Sequence, residues 1–356
     1  MLTSTLVRNR FGLRYMEDDL YALDKLGGKE IALNVFDDEV AWGRRGHTAA
    51  YLLTRYFLPV ATLAELTVGF HLLPPYVAQE RFAVAQFDPE RERLIDHAHS
   101  LRAYVYRALL ESEAEDEDIE DGLREARGAF GDDFYCEKQS SVALDRVEEH
   151  MIDAYGGAAV DYRDLVSMAK LRRSPDAQVA WLERGAQAFP EVMYFHIALA
   201  QLYAQQGEVV AAAQSFARSL GCYHHTSYGI FSAAYHALGR DLLEKVPSAF
   251  SDTARSDVIL AEGEARMQWL VSLFQKGDFE TSVRLLSDFR YDSGTDLHPL
   301  LFEFLRLHYE ALGWKWALAW CDLCAMDEQY ERRQYWYQGQ LLPRNWDQPV
   351  RSFLDS

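Results

Sequence analysis

The chain has 356 residues, of which 49% are hydrophobic and 26% are charged, as expected for a folded chain and not for a disordered one. Its formal net charge of −19 at pH 7 argues against nucleic acid and anionic membrane surfaces as partners. Both of these are bound through clustered lysine and arginine side chains. The same charge favours attraction to a basic protein.

The compartment predicted from the sequence is a reducing cytoplasm. The four cysteines are too few and too scattered to form a disulfide framework. The first twenty residues carry charges where a secretory signal would have an apolar segment. The most apolar window, His47–Leu73, is interrupted by Arg55, Pro59 and Glu65. It therefore predicts two buried helices joined at the proline, and no membrane span.

The N-terminal region, residues 1–157, is predicted to be mostly helical. Met16–Gly28 reads as a short amphipathic helix with acidic residues in its first turn and a glycine cap. Lys29–Phe36 is either a strand or the start of another helix. Further helices are predicted at about 47–57, 60–73, 92–112, 117–129 and 141–155.

A helical hairpin is predicted after this region. Apolar residues up to Tyr203 follow one helical face, and Gly207 ends that helix, as glycine does where φ becomes positive. A second apolar series then passes through Ala212, Ala213 and Phe216. The two alanines would let the helices approach closely, and the phenylalanine would fill the space between them.

The pattern recurs along the chain. A leucine or an aromatic residue stands four positions before each of four glycines: Gly207, Gly239, Gly277 and Gly313. The intervals between these glycines are 32, 38 and 36 residues, which is typical of a helical repeat. An earlier unit, Tyr162–Leu171 followed by Ala177–Pro190, fits the same scheme.

Residues of about 160–325 resemble the tetratricopeptide repeat (TPR) family. Leu199, Tyr203, Gly207, Ala212 and Phe216 occupy the pattern positions of that family in order. The resemblance implies an all-α fold, with a TPR-like α-solenoid of helical hairpins over residues 158–326. Residues 327–356 would form an aromatic-rich C-terminal cap or tail.

The resemblance also implies a groove that binds another protein or a peptide. One subclass of the family clamps a C-terminal carboxylate with lysine and asparagine, but the matching positions here hold Ile197 and Gln201. The predicted groove is apolar and neutral polar, and would suit a helix or an extended apolar segment. Its expected residues are Tyr194, Ile197, Gln201, Gln205, Met267, Val271 and Phe274.

Two further segments could contact a partner. Glu111–Asp121 has eight acidic residues in eleven positions and is either a solvated loop and helix start or a contact for a basic partner. The candidate contacts in this run are Glu115, Asp116, Glu117 and Asp118. In the tail, Trp336 and Trp346 either cap the array or contribute to an interface, where tryptophan is enriched.

No catalytic constellation, cofactor motif or metal motif is predicted. The segment at Gly27–Glu30 lacks the spacing of a phosphate-binding loop. Cys321 and Cys324 form a CxxC on a helix with apolar periodicity, without a second pair to complete a zinc site. A polar set could in principle hold a metal between helices, although surface positions are the favoured interpretation. It comprises Asp96, His99, Glu149, His150 and Asp153.

The sequence therefore favours a non-enzymatic, acidic, cytoplasmic protein that binds a specific and basic partner protein. An inhibitor of a basic toxin (an immunity protein) or a chaperone fits this class, with no nucleic acid, membrane or cofactor expected. Two alternatives remain open: a TPR-like regulator that responds to a peptide or another ligand, and a helical metal-dependent enzyme.

Overall fold

The computed structural model describes residues 11–26, 34–35, 56–63, 66–88, 93–115, 119–134, 142, 146–223, 233–251, 256, 272–284 and 298–319. These residues are mostly helical, as expected. Those up to Phe189 form one compact unit, and those from Pro190 onward form a second. The predicted boundary at 157/158 does not coincide with this division. Gly156 and Gly157 instead form a helix–helix turn with positive φ inside the first unit.

In its described part, the first unit combines helices with an antiparallel sheet. The strands are β1 (Asn34–Val35), β2 (Phe57–Leu63), β3 (Leu66–His71), β4 (Ala83–Asp88) and β5 (Arg93–Ala98). The helices are α1 (Glu17–Leu26), α2 (Pro74–Ala78), α3 (Leu101–Ala114), α4 (Glu120–Phe130), α5 (Val147–Tyr155), α6 (Ala159–Leu171) and α7 (Pro175–Ala188).

The five strands pair in sequence order, each antiparallel to the next. The predicted helix at 60–73 is therefore wrong, and the helix predicted from residue 92 begins only at Leu101. Valine, threonine and phenylalanine are frequent in the misassigned window, and they favour strands. Pro59, which suggested a helix start, lies where the β2–β3 register shifts, a position that tolerates a residue without an N–H.

The core of the first unit lies on this sheet. Phe57, Phe70, Val84 and Leu94 are fully buried. Helices α3 and α6 pack against β5, and α1 packs against α3 and α4. The start of α3 is fixed from α1, because the Leu101 N–H donates to Asp19 Oδ1 at 2.6 Å.

The second unit is mainly helical in its described part, with one isolated parallel β-bridge between Val192 and Tyr223. Its helices are α8 (Met193–Gln206), α9 (Val209–Ser219), α10 (Ala233–Lys245) and α11 (His298–Leu312), with shorter helical segments at 272–276, 279–284 and 315–319. Helices α8 and α9 form the predicted hairpin, and α10 packs on α9. None of the helices in the described ranges is long and apolar enough to cross a membrane.

The predicted hinge at Gly239 is wrong, because this glycine is buried inside α10. Buried Tyr235 and Leu242 lie two helical turns apart and continue one apolar stripe across it. A glycine inside a helix costs only about 1 kcal/mol, so a continuous apolar stripe can override it.

Candidate functional site

The other three predicted hinges share one backbone geometry. Gly207, Gly277 and Gly313 have φ values of +81°, +78° and +67°. Each glycine N–H donates to the carbonyl three residues earlier, and the next N–H donates to the carbonyl five residues earlier. This is the Schellman ending of a helix, in which a left-handed residue satisfies the last carbonyls. In the second of these bonds the accepting carbonyls belong to Tyr203, Leu273 and Tyr309, the residues that defined the repeat in the sequence.

The α8–α9 hairpin is closely packed. Ala212, Ala213 and Phe216 are fully buried, as the sequence predicts. The Phe216 ring lies 4.8 Å from the ring of Tyr235, measured between centroids, so the packing extends into α10. Tyr203 is only half-buried and contributes less to this core.

Segment 272–284 packs against α11 in a comparable way. The ring of Phe274 lies 5.2 Å from Phe279 and 4.8 Å from His308, between centroids. His308 Nε2 and Ser282 Oγ form a hydrogen bond of 2.6 Å, and both side chains are fully buried. Phe274, expected in the groove, thus lies in the contact between these helices.

The exposed face of α8 holds three of the predicted groove residues. Tyr194, Gln201 and Gln205 are spaced by seven and four residues and therefore share one helical face. Both glutamines are exposed, and Tyr194 is half-buried. Ile197 is only 5% exposed and belongs to the core, which leaves it little surface for a partner. The predicted groove residues Met267 and Val271 lie outside the described residues.

The acidic run is described in part. Glu115 is exposed at the C-terminal cap of α3, while Asp116, Glu117 and Asp118 lie outside the described residues, as do Trp336 and Trp346 in the tail. Glu111 is half-buried, and its Oε1 lies 3.5 Å from Arg107 Nη1. Burial raises the pKa of the Glu111 carboxyl, and this effect is larger than that of the positive charge of Arg107, which lowers it.

The residues considered for a metal are not brought together. Asp96 lies on β5 and contacts His71, whereas His150 on α5 contacts the Tyr106 hydroxyl at 3.0 Å. Oε2 of Glu149 lies 3.8 Å from Nε of Arg146, and Asp153 is exposed. Among the described residues, no group of three or more His, Cys, Asp or Glu side chains is arranged to hold a metal ion. Cys321 and Cys324 lie outside those residues.

Sequence reasoning missed a buried polar network in the sheet. His71 Nδ1 lies 2.5 Å from Asp96 Oδ1, and the Tyr76 hydroxyl donates to Asp96 Oδ2 at 3.2 Å. The strand register was the missing signal, because residues on β3 and β5 are brought close only through β4. Burial shields this network from any substrate, which favours a structural role.

A buried ion pair joins two helices of the first unit. The Arg107 guanidinium on α3 contacts the Asp161 carboxylate on α6, and both side chains are almost completely buried. Asp161 also accepts a hydrogen bond of 2.5 Å from the Ala158 N–H and so fixes the start of α6. Both carboxylate oxygens are therefore engaged in holding the fold.

Comparison of the chain with protein-family models, with curated proteins and with solved structures gives no significant match.

Proposed function

We propose that the protein is a non-enzymatic binding protein whose TPR-like hairpins hold another protein. The observation that carries this proposal is the same Schellman turn at Gly207, Gly277 and Gly313. Hairpins whose first helices end in the same turn can stack side by side and share one face. Repeat arrays use such a face to bind partners. The exposed stripe of Tyr194, Gln201 and Gln205 would belong to that face.

The partner is proposed to be a basic protein. With a net charge of −19, the chain attracts basic surfaces over distances set by the ionic strength. A cytoplasmic inhibitor, such as an immunity protein that neutralises a basic toxin, fits this charge, as does a chaperone. The buried positions of His71, Asp96, Arg107 and Asp161 support structural roles for these groups and favour binding over catalysis.

Affinity purification of the full tagged chain from an extract of its native host tests the proposal. We expect a basic protein to co-purify in stoichiometric amount. The complex should weaken when the salt concentration is raised from about 0.15 M to about 0.5 M, because salt screens the attraction.

The binding face is tested with a matched pair of variants. Gln201→Ala combined with Gln205→Ala alters the exposed face of α8, and Gln214→Ala combined with Arg218→Ala alters the exposed face of α9. We expect the first variant to lower the affinity for the partner by at least about tenfold, because its residues would lie in the interface. The second variant should leave the affinity unchanged, because its residues would lie outside the interface. Equal effects of both variants, or no stoichiometric partner at all, would reject the proposal.

A further inference from the structure

The turn between α6 and α7 has the same Schellman geometry, but it has arginine where the others have glycine. Arg173 has φ +54°, its N–H donates to the Lys170 carbonyl at 3.0 Å, and the Ser174 N–H donates to the Ala169 carbonyl at 3.0 Å. Residues with a Cβ are disfavoured in this left-handed conformation. Glycine would fit the turn better, so the arginine side chain is held here at a cost in backbone energy.

The same turn exposes an apolar side chain. Leu171 is 83% exposed, compared with 59% for Tyr21 and 58% for Val210, the other large hydrophobic residues that are exposed in the described part. It is also the last residue of α6. An isolated exposed leucine needs no explanation on its own, but this one lies among three basic residues.

The basic residues of this turn are not neutralised. Lys170, Arg172 and Arg173 are exposed, and none of them makes an ion pair within the described residues. Several cations at other positions do pair with an acid three or four residues away. These are Arg124, Arg146, Lys245 and Arg306. The turn is thus a compact basic and apolar protrusion on a strongly acidic chain, and we call Lys170, Leu171, Arg172 and Arg173 the basic tip.

We propose that the basic tip docks an acidic linear segment of another protein. Carboxylates of the segment would pair with Lys170, Arg172 and Arg173, and an apolar side chain between them would cover Leu171. These three cations and the leucine are consecutive in the sequence, and the left-handed Arg173 reverses the chain there, so they lie together at the turn of a helical hairpin. Arginine suits this role because its planar guanidinium can bind a carboxylate through two parallel hydrogen bonds.

A short peptide fits the charge distribution better than a membrane does. Charges interact over about 8 Å at physiological ionic strength, so a short segment meets mainly the local positive charge. An anionic membrane is an extended surface and would also meet the surrounding acidic side chains, and a single leucine anchors weakly. This inference does not depend on the proposed function, since the basic tip lies in the first unit and attracts ligands of the opposite charge.

The experiment selects binders of the full chain from a phage-displayed library of random short peptides. The best peptide is then synthesised with a fluorescent label, and its affinity is measured by anisotropy. We expect the selected sequences to be enriched in Asp and Glu around an apolar residue. The combined variant Leu171→Ser, Arg172→Glu and Arg173→Glu should lower the affinity by at least about tenfold, because reversing the two charges replaces attraction of the acidic peptide by repulsion.

The control is Lys276→Glu, which reverses an exposed charge beside another Schellman turn and should leave the affinity unchanged. Lys276 makes no ion pair with any residue that the structure describes. The combined Gln201→Ala and Gln205→Ala variant should also bind the peptide normally, which separates this inference from the proposed function. Selected peptides without acidic residues, or equal binding by the combined tip variant, would overturn the proposal. So would self-association of the chain, or binding to phosphatidylserine vesicles, that depends on the tip.

Arg173→Gly provides the sharpest single test. Glycine relieves the left-handed conformation, so the melting temperature should rise, while the loss of one guanidinium should weaken peptide binding. An unchanged affinity would show that Arg173 does not contact the peptide. Circular dichroism of each variant confirms that the fold is kept, so a loss of binding can be assigned to the tip.

Discussion

Nδ1 of His71 lies 2.5 Å from Oδ1 of Asp96, and the two side chains are only 0% and 3% exposed. They lie on β3 and β5, which both pair with β4. The Tyr76 hydroxyl donates a hydrogen bond to the other carboxylate oxygen, Oδ2 of Asp96. The network therefore fixes the relative register of three strands from inside the first unit.

Asp96→Ala should strongly destabilise the first unit. The change removes two buried hydrogen bonds, to the His71 ring and to the Tyr76 hydroxyl, which together contribute about 2–5 kcal/mol. For a unit of this size we expect the melting temperature to fall by about 10 °C, measured by circular dichroism. Asp153→Ala, at an exposed position, is the control and should change it little. Equal melting temperatures for both variants would contradict the structural role of the network.

The sheet shows where sequence patterns fail. Residues 57–71 are apolar enough for a buried helix, and a short apolar run does not separate helix from strand by periodicity. Pairing of the two strands with each other, and of β3 with β4 later in the chain, selects the strand conformation. His71 could not be paired with Asp96 from the sequence for the same reason.

Phe216→Ala should destabilise the second unit more than Tyr203→Ala. Phe216 on α9 is fully buried and packs against Tyr235 on α10, and truncation of such an aromatic costs about 3–5 kcal/mol. Tyr203 is half-buried, so its truncation should cost less than half as much. Thermal unfolding of both variants gives the comparison. A larger loss for Tyr203→Ala would mean that the packing of the hairpin is assigned incorrectly.

The glycine turns were predictable because their cause is local. A glycine that follows the end of an apolar stripe ends the helix at Gly207, Gly277 and Gly313. At Gly239 the stripe continues, and the helix continues with it. Which exposed residues bind a partner is not a local property. Ile197 and Gln201 occupy similar pattern positions, yet only packing decides that the first is buried and the second exposed.

Gly207→Ala and Gly128→Ala should have opposite effects on stability. A Cβ at either position meets no atom within 4 Å, so the difference comes from the backbone alone. Gly207 has φ +81°, where alanine costs about 1–2 kcal/mol, whereas Gly128 lies in α4, where alanine gains about 0.5–1 kcal/mol. Melting temperatures should therefore fall for the first and rise for the second. Changes of the same sign would contradict the left-handed turn.

Stability of the second unit should decrease in acid because of His196. This side chain on α8 is buried, and its Nε2 lies 2.9 Å from the Pro190 carbonyl oxygen. Burial lowers the pKa of His196 and Arg218 lowers it further, although the Pro190 carbonyl opposes the shift. The unfolded chain then binds a proton at a higher pH than the folded chain does. The free energy of unfolding should therefore be unaffected above the unfolded pKa of about 6.5, and should fall as the pH decreases below it.

His196→Gln tests this pH dependence, since glutamine keeps an N–H donor but does not titrate. The difference in melting temperature between wild type and variant should be constant above about pH 7. Below about pH 6 the melting temperature of the wild type should fall relative to that of the variant. In this range the histidine of the unfolded wild type binds a proton that the folded state does not bind, and glutamine binds none in either state. A difference that stays constant across the whole range would show that His196 keeps an ordinary pKa in the folded protein, and its burial would then need another compensating contact.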